Sequence, residues 1–199
     1  MRTRSWLVFA LSIGVAGLVY AARPMALTNG DPAPPMRGNL PNGDLLIVDY
    51  SPTELTLINF WATWCEPCRK EMPALDDLYR RHAGAGLQVI GVHVGPLTDD
   101  EYAQFKEAVP VDYPLILNPS ARWLSPWGGL SILPRSYLVA SDGRILRGYV
   151  GASAEQVEAL VYDVEAVLDG RPLGPVVVPT EPSDVSTPED RDRAKDETE

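Results

Sequence analysis

Residues Asn59–Pro73 read NFWATWCEPCRKEMP, a stretch that contains both cysteines of the chain. It begins inside an apolar run, Leu55–Trp61, in which both alternating sets of side chains are apolar. Such a run predicts a central strand that is covered on both faces. A helical pattern with apolar residues on one face follows over Glu66–His82. A strand that turns directly into a helix therefore places Cys65 at the start of that helix.

The predicted position of Cys65 favours a reactive thiol. Free backbone N–H groups and the positive end of the helix dipole stabilise a thiolate there and lower its pKa. Cys68 follows one turn later, close enough to form a disulfide with Cys65, and we expect it to be the more buried of the two. Pro67 suits the first turn, where its missing N–H costs nothing. Trp61 and Trp64 are expected to shield one side of the pair from solvent.

These two cysteines are the only ones among 199 residues, which suggests that the pair itself is the active group. A purely structural disulfide is the alternative, but it would close a loop too short for much entropic stabilisation. Zinc is the rival chemistry, and a tetrahedral site would need two further ligands. The chain offers His82 at a helix end and His93 in a predicted strand, and neither position needs a metal to explain it. We therefore predict no metal and no cofactor.

The N-terminus has the composition of a membrane-targeting segment. Arg2 and Arg4 precede an uncharged run, Trp6–Ala22, and Arg23 follows it. The run is at the short limit for a helix that spans a bilayer and slightly long for a cleavable signal peptide. Residues 1–23 are therefore predicted to be a signal anchor or a signal peptide. In either case the positive residues favour export of the remainder of the chain.

Composition divides the rest of the chain into three parts. Residues 24–43 are rich in Pro and Gly and are expected to form an extended spacer, and residues 44–172 to form the folded domain. Residues 173–199 are expected to be a disordered acidic tail, because eight acidic and three basic residues fall within Glu181–Glu199. The net charge of −10 makes binding to nucleic acid through a basic surface unfavourable.

The predicted domain alternates strands and helices. A turn sequence, Ser141-Asp142-Gly143, separates two strand patterns and indicates an antiparallel hairpin. The order of the elements predicts an α/β domain with a mixed central sheet flanked by helices. Besides the strand and helix around Cys65, the patterns predict strands over 45–48, 87–94, 113–117, 136–140 and 145–150, and helices over 99–108 and 154–168.

The stretch Phe60–Pro73 resembles the thioredoxin-like proteins of the TlpA/ResA/CcmG group. The similarity covers about residues 31–168 and is weak over 95–127. It implies a thioredoxin-like fold and a membrane-anchored, extracytoplasmic thiol–disulfide oxidoreductase, a class of which many members serve cytochrome c maturation. It also implies that Cys65 attacks the substrate disulfide and that Cys68 resolves the mixed disulfide.

The resemblance assigns further residues to the site. Pro134 matches a cis-proline that lies beside the cysteines and presents backbone to the substrate, although an ordinary trans loop proline is the alternative. Together with Leu133, Trp64 and Pro67 it makes up the predicted substrate-binding set. Glu71 matches an acid near the resolving cysteine, where a carboxylate could relay a proton to or from that thiol. The alternative for Glu71 is an ordinary exposed helix residue.

Three positions near the site bear on how the resemblance is interpreted. Members of the group usually follow the cis-proline with small hydroxyl residues, whereas this chain has Arg135-Ser136. An arginine beside the cysteines could lower the thiolate pKa or select an acidic partner. Asn59 stands where cytoplasmic thioredoxins carry a buried aspartate, in agreement with the group.

Three functions are compatible with these residues. The first is a dithiol reductase of exported protein disulfides, with apocytochrome c as one candidate substrate, kept reduced by a membrane electron donor of the CcdA/DsbD type. The second is a disulfide-forming oxidase that uses the same residues at a higher reduction potential. The third is a non-catalytic binding module, against which the intact Cys65, Pro67, Cys68 and Pro134 argue. A peroxidase is disfavoured because Ala62 stands where that subgroup carries Thr or Ser.

Overall fold

The computed structural model describes residues 27–128, 130–177 and 185–196. The predicted signal anchor or signal peptide over 1–23 and the first part of the predicted spacer lie outside these ranges. Within the described ranges, no helix combines the length and the apolar character needed to cross a membrane.

The described strands form two sheets. A five-stranded sheet has the order β5-β4-β3-β6-β7, with β4 parallel to both β3 and β5, and with β6 antiparallel to both β3 and β7. A separate antiparallel pair is formed by β1 and β2. The strands are β1 Arg37–Asn39, β2 Leu45–Ile47, β3 Leu55–Trp61, β4 Leu87–His93, β5 Leu115–Ile116, β6 Arg135–Ala140 and β7 Ile145–Val150.

Most helix predictions match the structure. The three long predicted helices have the predicted bounds, whereas the short helices α3 and α5 were not predicted. Short 3₁₀ segments extend α1 over Ala83–Ala85 and α3 over Ser125–Trp127. The helices are α1 Glu66–His82, α2 Asp99–Ala108, α3 Ala121–Leu124, α4 Ala154–Leu168 and α5 Pro188–Asp196.

Strand β3 is central in the large sheet, as predicted, and every one of its residues is buried. Phe60 and Trp61 are neighbours in the strand and therefore project to opposite faces. Phe60 contacts Trp127 at 5.2 Å between ring centroids, while Trp61 stacks on Phe105 of α2 at 4.4 Å. The sheet is thus covered on both faces, and the mixed thioredoxin-like architecture predicted from the sequence is confirmed.

The segment predicted to be an extended spacer differs from that prediction in its described part. Met36 is only 1% exposed, and β1 pairs with β2. The backbone N–H of Gly30 donates to the carbonyl of Ile145 at 2.8 Å, and that of Ala33 to the carbonyl of Gly143 at 2.8 Å. The free backbone groups of the β6–β7 hairpin edge bind this segment, so residues 30–43 are part of the folded domain. Composition alone could not reveal that partner.

The tail predicted to be disordered from residue 173 also differs. The backbone N–H of Gly174 donates to the carboxylate of Asp163 at 2.6 Å, and Arg147 donates to the carbonyl of Gly174 at 2.8 Å. Arg147 and Asp163 form a buried ion pair at 2.6 Å. Further along, residues 188–196 form helix α5. The ordering comes from contacts with the domain, which a charge count over the tail does not contain.

Candidate active site

The backbone at the end of β3 turns once and delivers Cys65 to the start of α1. Cys65 is the N-cap residue, in an extended conformation, and its N–H donates to the carbonyl of Ala62 at 3.1 Å. The backbone N–H of Cys68 donates to Cys65 Sγ at 3.2 Å. Pro67 occupies the first turn, where the absent N–H would have no helical partner. The predicted placement of the sulfur at the positive end of the helix is therefore observed.

Cys65 and Cys68 are joined in a disulfide, with their Cα atoms 5.3 Å apart. Both residues are 0% exposed, so the expectation that Cys68 would be clearly more buried than Cys65 is wrong. In this disulfide-bonded form neither cysteine has accessible surface.

The Leu133–Pro134 peptide bond is cis, as the resemblance implied, and the sheet register brings Pro134 to the end of β3 that leads into the cysteine turn. The location follows from sheet register, because Arg135 pairs with Phe60 near the end of β3. The carbonyl of Pro134 accepts a hydrogen bond from Gly151 N–H at 3.0 Å. The backbone of Leu133 lies just before β6 and is not paired with β3 or β7.

Glu71 is not the exposed helix residue of the alternative interpretation, since it is only 3% exposed. It follows Cys68 by three residues in α1, and residues with this spacing share a helix face. Asn59 Nδ2 donates to Glu71 Oε1 at 2.6 Å and to Ser136 Oγ at 2.9 Å. The three polar side chains form a buried chain that connects the cysteine helix to the centre of the sheet.

Burial controls the ionisation of Glu71. Loss of solvent raises its pKa from 4.5 to about 8, and the hydrogen bond from Asn59 opposes part of that rise. At neutral pH most folded molecules therefore carry a neutral, protonated Glu71, and a minor fraction carries the carboxylate. Such a group can exchange a proton with a cysteine thiol, whose ordinary pKa is about 8.5.

Asn59 was expected to matter from its position in the family, but its hydrogen bond to Glu71 and the role of the Ser136 side chain were not predicted. One signal was available: Asn59 is a polar residue within the apolar run LTLINFW. A buried amide needs hydrogen-bond partners, so its position already implied polar side chains on neighbouring elements.

The tryptophans have different roles. Trp64, directly before Cys65, is partly buried and lies against the guanidinium of Arg191 at 5.2 Å. Trp61 is 0% exposed and packs in the core against Phe105 and His93. Trp127 is also fully buried and packs against Phe60.

Arg135 and the two histidines lie against other residues of the domain. The guanidinium of Arg135 lies over the ring of Tyr137 at 5.8 Å, and its Nε has no hydrogen-bond partner among the described residues. Burial lowers the pKa of His93 to about 4, and His82 lies near Glu165 at the end of α1. Within the described residues, neither histidine has a hydrogen bond, an ion pair or a ring contact with Cys65 or Cys68.

A shallow apolar groove opens at the same end of the sheet as the cysteine turn. It has a volume of about 280 Å³ and begins at Val94, whose N–H donates to the carbonyl of Trp61 at 2.8 Å. The groove could accept an apolar side chain of a bound peptide. Its lining residues are Val94, Ala121, Leu124, Ser125, Gly128 and Leu130.

A disulfide at a helix N-terminus beside a cis-proline, carried on a mixed sheet of this order, defines a thioredoxin-fold thiol–disulfide oxidoreductase. The chain belongs to the AhpC/TSA family, whose sequence model matches residues 30–147.

Individual relatives agree with this class. The chain is 26% identical over 157 residues to the thiol-disulfide oxidoreductase ResA of Bacillus subtilis (strain 168), covering 79% of this chain and 84% of that protein. ResA of Geobacillus thermodenitrificans is 27% identical over 161 residues, with coverages of 78% and 89%. Among solved structures, a DsbE-type thiol:disulfide interchange protein from Chlorobium tepidum superimposes with a TM-score of 0.65 at 27% identity, covering 72% and 99%. The resemblance to the TlpA/ResA/CcmG group is thereby confirmed.

Proposed function

We propose that this protein is a dithiol reductase that acts on disulfides of exported proteins outside the cytoplasmic membrane. The burial of Glu71 on the cysteine helix supports this direction of electron flow. Glu71 is mainly neutral at neutral pH, so it offers the 0% exposed Cys68 sulfur no counter-charge, and burial itself disfavours a thiolate there. Because a redox pair becomes a strong oxidant when its reduced thiolate form is stabilised, a destabilised thiolate favours the disulfide and makes the dithiol a good reductant.

The reaction proceeds in two exchange steps. In the reduced protein, the Cys65 thiolate attacks one sulfur of the substrate disulfide, forms a mixed disulfide and releases the other sulfur as a thiolate. Cys68 then loses its proton and attacks Cys65 Sγ, which releases the second substrate sulfur. Two electrons pass to the substrate, and the protein is left with the Cys65–Cys68 disulfide seen in the structure.

Glu71 is proposed to accept the proton of Cys68. The thiol must be deprotonated before it can attack, and the carboxylate form of a group with a pKa of about 8 is a base of suitable strength. Asn59 holds the carboxyl through its 2.6 Å hydrogen bond. The proton taken up by Glu71 can then pass to the departing substrate thiolate.

The substrate is proposed to bind across the cysteine turn. Leu133 would present its backbone beside the cis-proline Pro134 on one side, while Trp64 and Pro67 would lie on the other. An extended substrate segment would pair with the backbone of Leu133 as an added strand. This arrangement positions the substrate sulfur against Cys65.

The cellular setting of the proposal comes from the sequence. Residues 1–23 would hold the protein to the membrane, with residues 24–199 outside, or direct its export by a cleaved signal. A membrane electron donor of the CcdA/DsbD type would reduce the Cys65–Cys68 disulfide, and apocytochrome c is the proposed substrate of a cytochrome c maturation role. The N-terminal residue of the protein isolated from its cell would distinguish an anchor from a cleaved signal.

The reduction potential tests the direction of electron flow. Equilibration with glutathione or dithiothreitol buffers should give a value near that of thioredoxin, about −270 mV, whereas a value near about −120 mV, that of the strong oxidant DsbA, would exclude a reductase. In a second experiment, Cys68→Ala should trap the mixed disulfide in the native cell, and the attached protein can be identified. Cys65→Ser provides the matched control and should trap nothing through position 65. Insulin reduction no faster than background in both the parent and Cys65→Ser would instead support a binding module.

A further inference from the structure

The C-terminal segment of the chain pairs with the residue before the cis-proline. Leu133 N–H donates to the carbonyl of Ser186 at 2.9 Å, and Ser186 N–H donates to the carbonyl of Leu133 at 2.5 Å. The two residues form an isolated antiparallel bridge, and Ser186 is only 4% exposed. Both backbone groups of Leu133 are therefore occupied by this chain itself.

The same segment also reaches the other side of the cysteine turn. Thr187 and Asp190 bond to each other at the start of α5, where Thr187 N–H donates to the Asp190 carboxylate at 2.7 Å. One residue later, the guanidinium of Arg191 lies over the ring of Trp64 at 5.2 Å. Arg191 also lies against Gly95, just beyond the end of β4. The segment thus spans from Leu133 to the residue that precedes Cys65.

These contacts coincide with the proposed binding place of an extended substrate. A strand added at Leu133 needs the N–H and the carbonyl of that residue, and Ser186 uses both. Cys65 is also 0% exposed in this disulfide-bonded conformation, in which the segment is docked beside it.

We propose that residues 185–196 act as an intramolecular competitor, which occupies the place of an extended protein substrate and must leave before Cys65 can attack. The proposal rests on the proposed function, in that Leu133 is taken to bind the substrate backbone. A substrate that offers the same pair of backbone hydrogen bonds displaces the segment. The apparent affinity of the substrate is its intrinsic affinity multiplied by the fraction of molecules in which the segment has left.

Two substitutions in the full chain should weaken the segment. Ser186→Pro removes the N–H that Leu133 accepts, and Arg191→Ala removes the guanidinium from Trp64. Each should raise kcat/KM for insulin reduction, by about fivefold for Ser186→Pro and about threefold for Arg191→Ala, through KM and with kcat unchanged. Arg193→Ala is the matched control, because Arg193 lies on the same helix with a 75% exposed side chain, and it should leave kcat/KM at the parent value.

Hydrogen exchange at the Leu133 amide measures docking of the segment independently of activity. The amide should be protected in the parent and in Arg193→Ala, and should exchange faster in Ser186→Pro and Arg191→Ala. If Ser186→Pro fails to fold, the comparison of Arg191→Ala with Arg193→Ala still decides. The proposed competition would be wrong if the Leu133 amide were unprotected in the parent, or if KM were unchanged in Arg191→Ala. Absence of insulin reduction in all four chains, with Leu133 protected, would instead overturn the proposed function and the competition with it.

Discussion

The side-chain amide of Asn59, in the central strand, donates a 2.6 Å hydrogen bond to the carboxyl of Glu71, in the cysteine helix. Both residues are almost completely buried. This bond joins the two elements that hold the redox pair, and it fixes the position of the ionisable group that follows Cys68 on its helix. Three of the predictions below depend on it.

Replacing Glu71 by Gln should change how stability depends on pH. Because the pKa of Glu71 rises from 4.5 to about 8 on folding, the folded protein binds more protons than the unfolded chain between these values. The contribution of protonated Glu71 is complete below pH 4.5 and is lost as pH rises through about 8. The oxidised parent should lose on the order of 4 kcal/mol more than Glu71→Gln over this range.

Urea unfolding of the oxidised proteins, from below pH 4.5 to above pH 8, measures this difference. Oxidised protein is required because its cysteines do not titrate. Glu66→Gln removes an exposed carboxyl from the same helix and should retain the pH dependence of the parent. Parallel curves for the parent and Glu71→Gln would show that burial does not hold the proton on Glu71.

Asn59→Ala should raise the pKa of Glu71 further, because the hydrogen bond that stabilises the ionised carboxylate is lost. It should also cost about 1–3 kcal/mol of unfolding free energy, since buried partners lose a donor. The control is Ser136→Ala, which removes the other acceptor of the Asn59 amide but leaves the bond to Glu71. The pH midpoint of the stability curve should move upward in Asn59→Ala alone, and an equal shift in both variants would count against the assigned role of the bond.

Glu71→Gln should also slow the second step of the exchange reaction. If Glu71 takes the proton from Cys68, resolution of the mixed disulfide should slow by about 10²-fold, while attack by Cys65 keeps its rate. Single-turnover measurement of the two steps separates these effects, and the resolution rate should lose its pH dependence near about 8. Equal slowing of both steps would indicate a structural effect on the site, and Glu66→Gln again serves as the reference.

Asp163→Ala should destabilise the domain strongly. Its carboxylate is 0% exposed and binds Arg147, the Tyr149 hydroxyl and Gly174 N–H. Removing it leaves a buried arginine without its charge partner, at a cost of about 3–5 kcal/mol. Urea unfolding at fixed pH gives this value.

The matched variant is Asp169→Ala, which removes the exposed partner of Arg171. An ion pair of this kind contributes about 0–1 kcal/mol, so unfolding free energy should change little. If Asp163→Ala lowered the unfolding free energy by no more than Asp169→Ala does, the buried pair would not hold residues 173–175 to the sheet.

The long elements of this protein were predictable because their determinants are local. The three predicted helices have the predicted bounds, and two of them begin at side-chain caps, Thr98 with Glu101 and Ser153. Such caps and the 3.6-residue spacing of apolar side chains are properties of a few neighbouring residues. The short strands were less predictable, because two or three residues have little pattern. The predicted strand at 113–117 is only Leu115–Ile116, and β1 was missed.

The class of chemistry follows from local patterns: an apolar strand, one turn and an amphipathic helix place Cys65 and Cys68 at a helix N-terminus. The groups that surround the two cysteines depend instead on how distant segments pack. Asn59 meets Glu71 across 12 positions of sequence, and Leu133 meets Ser186 between distant segments. A buried hydrogen bond depends on which elements pack together, and no short window of sequence contains that information.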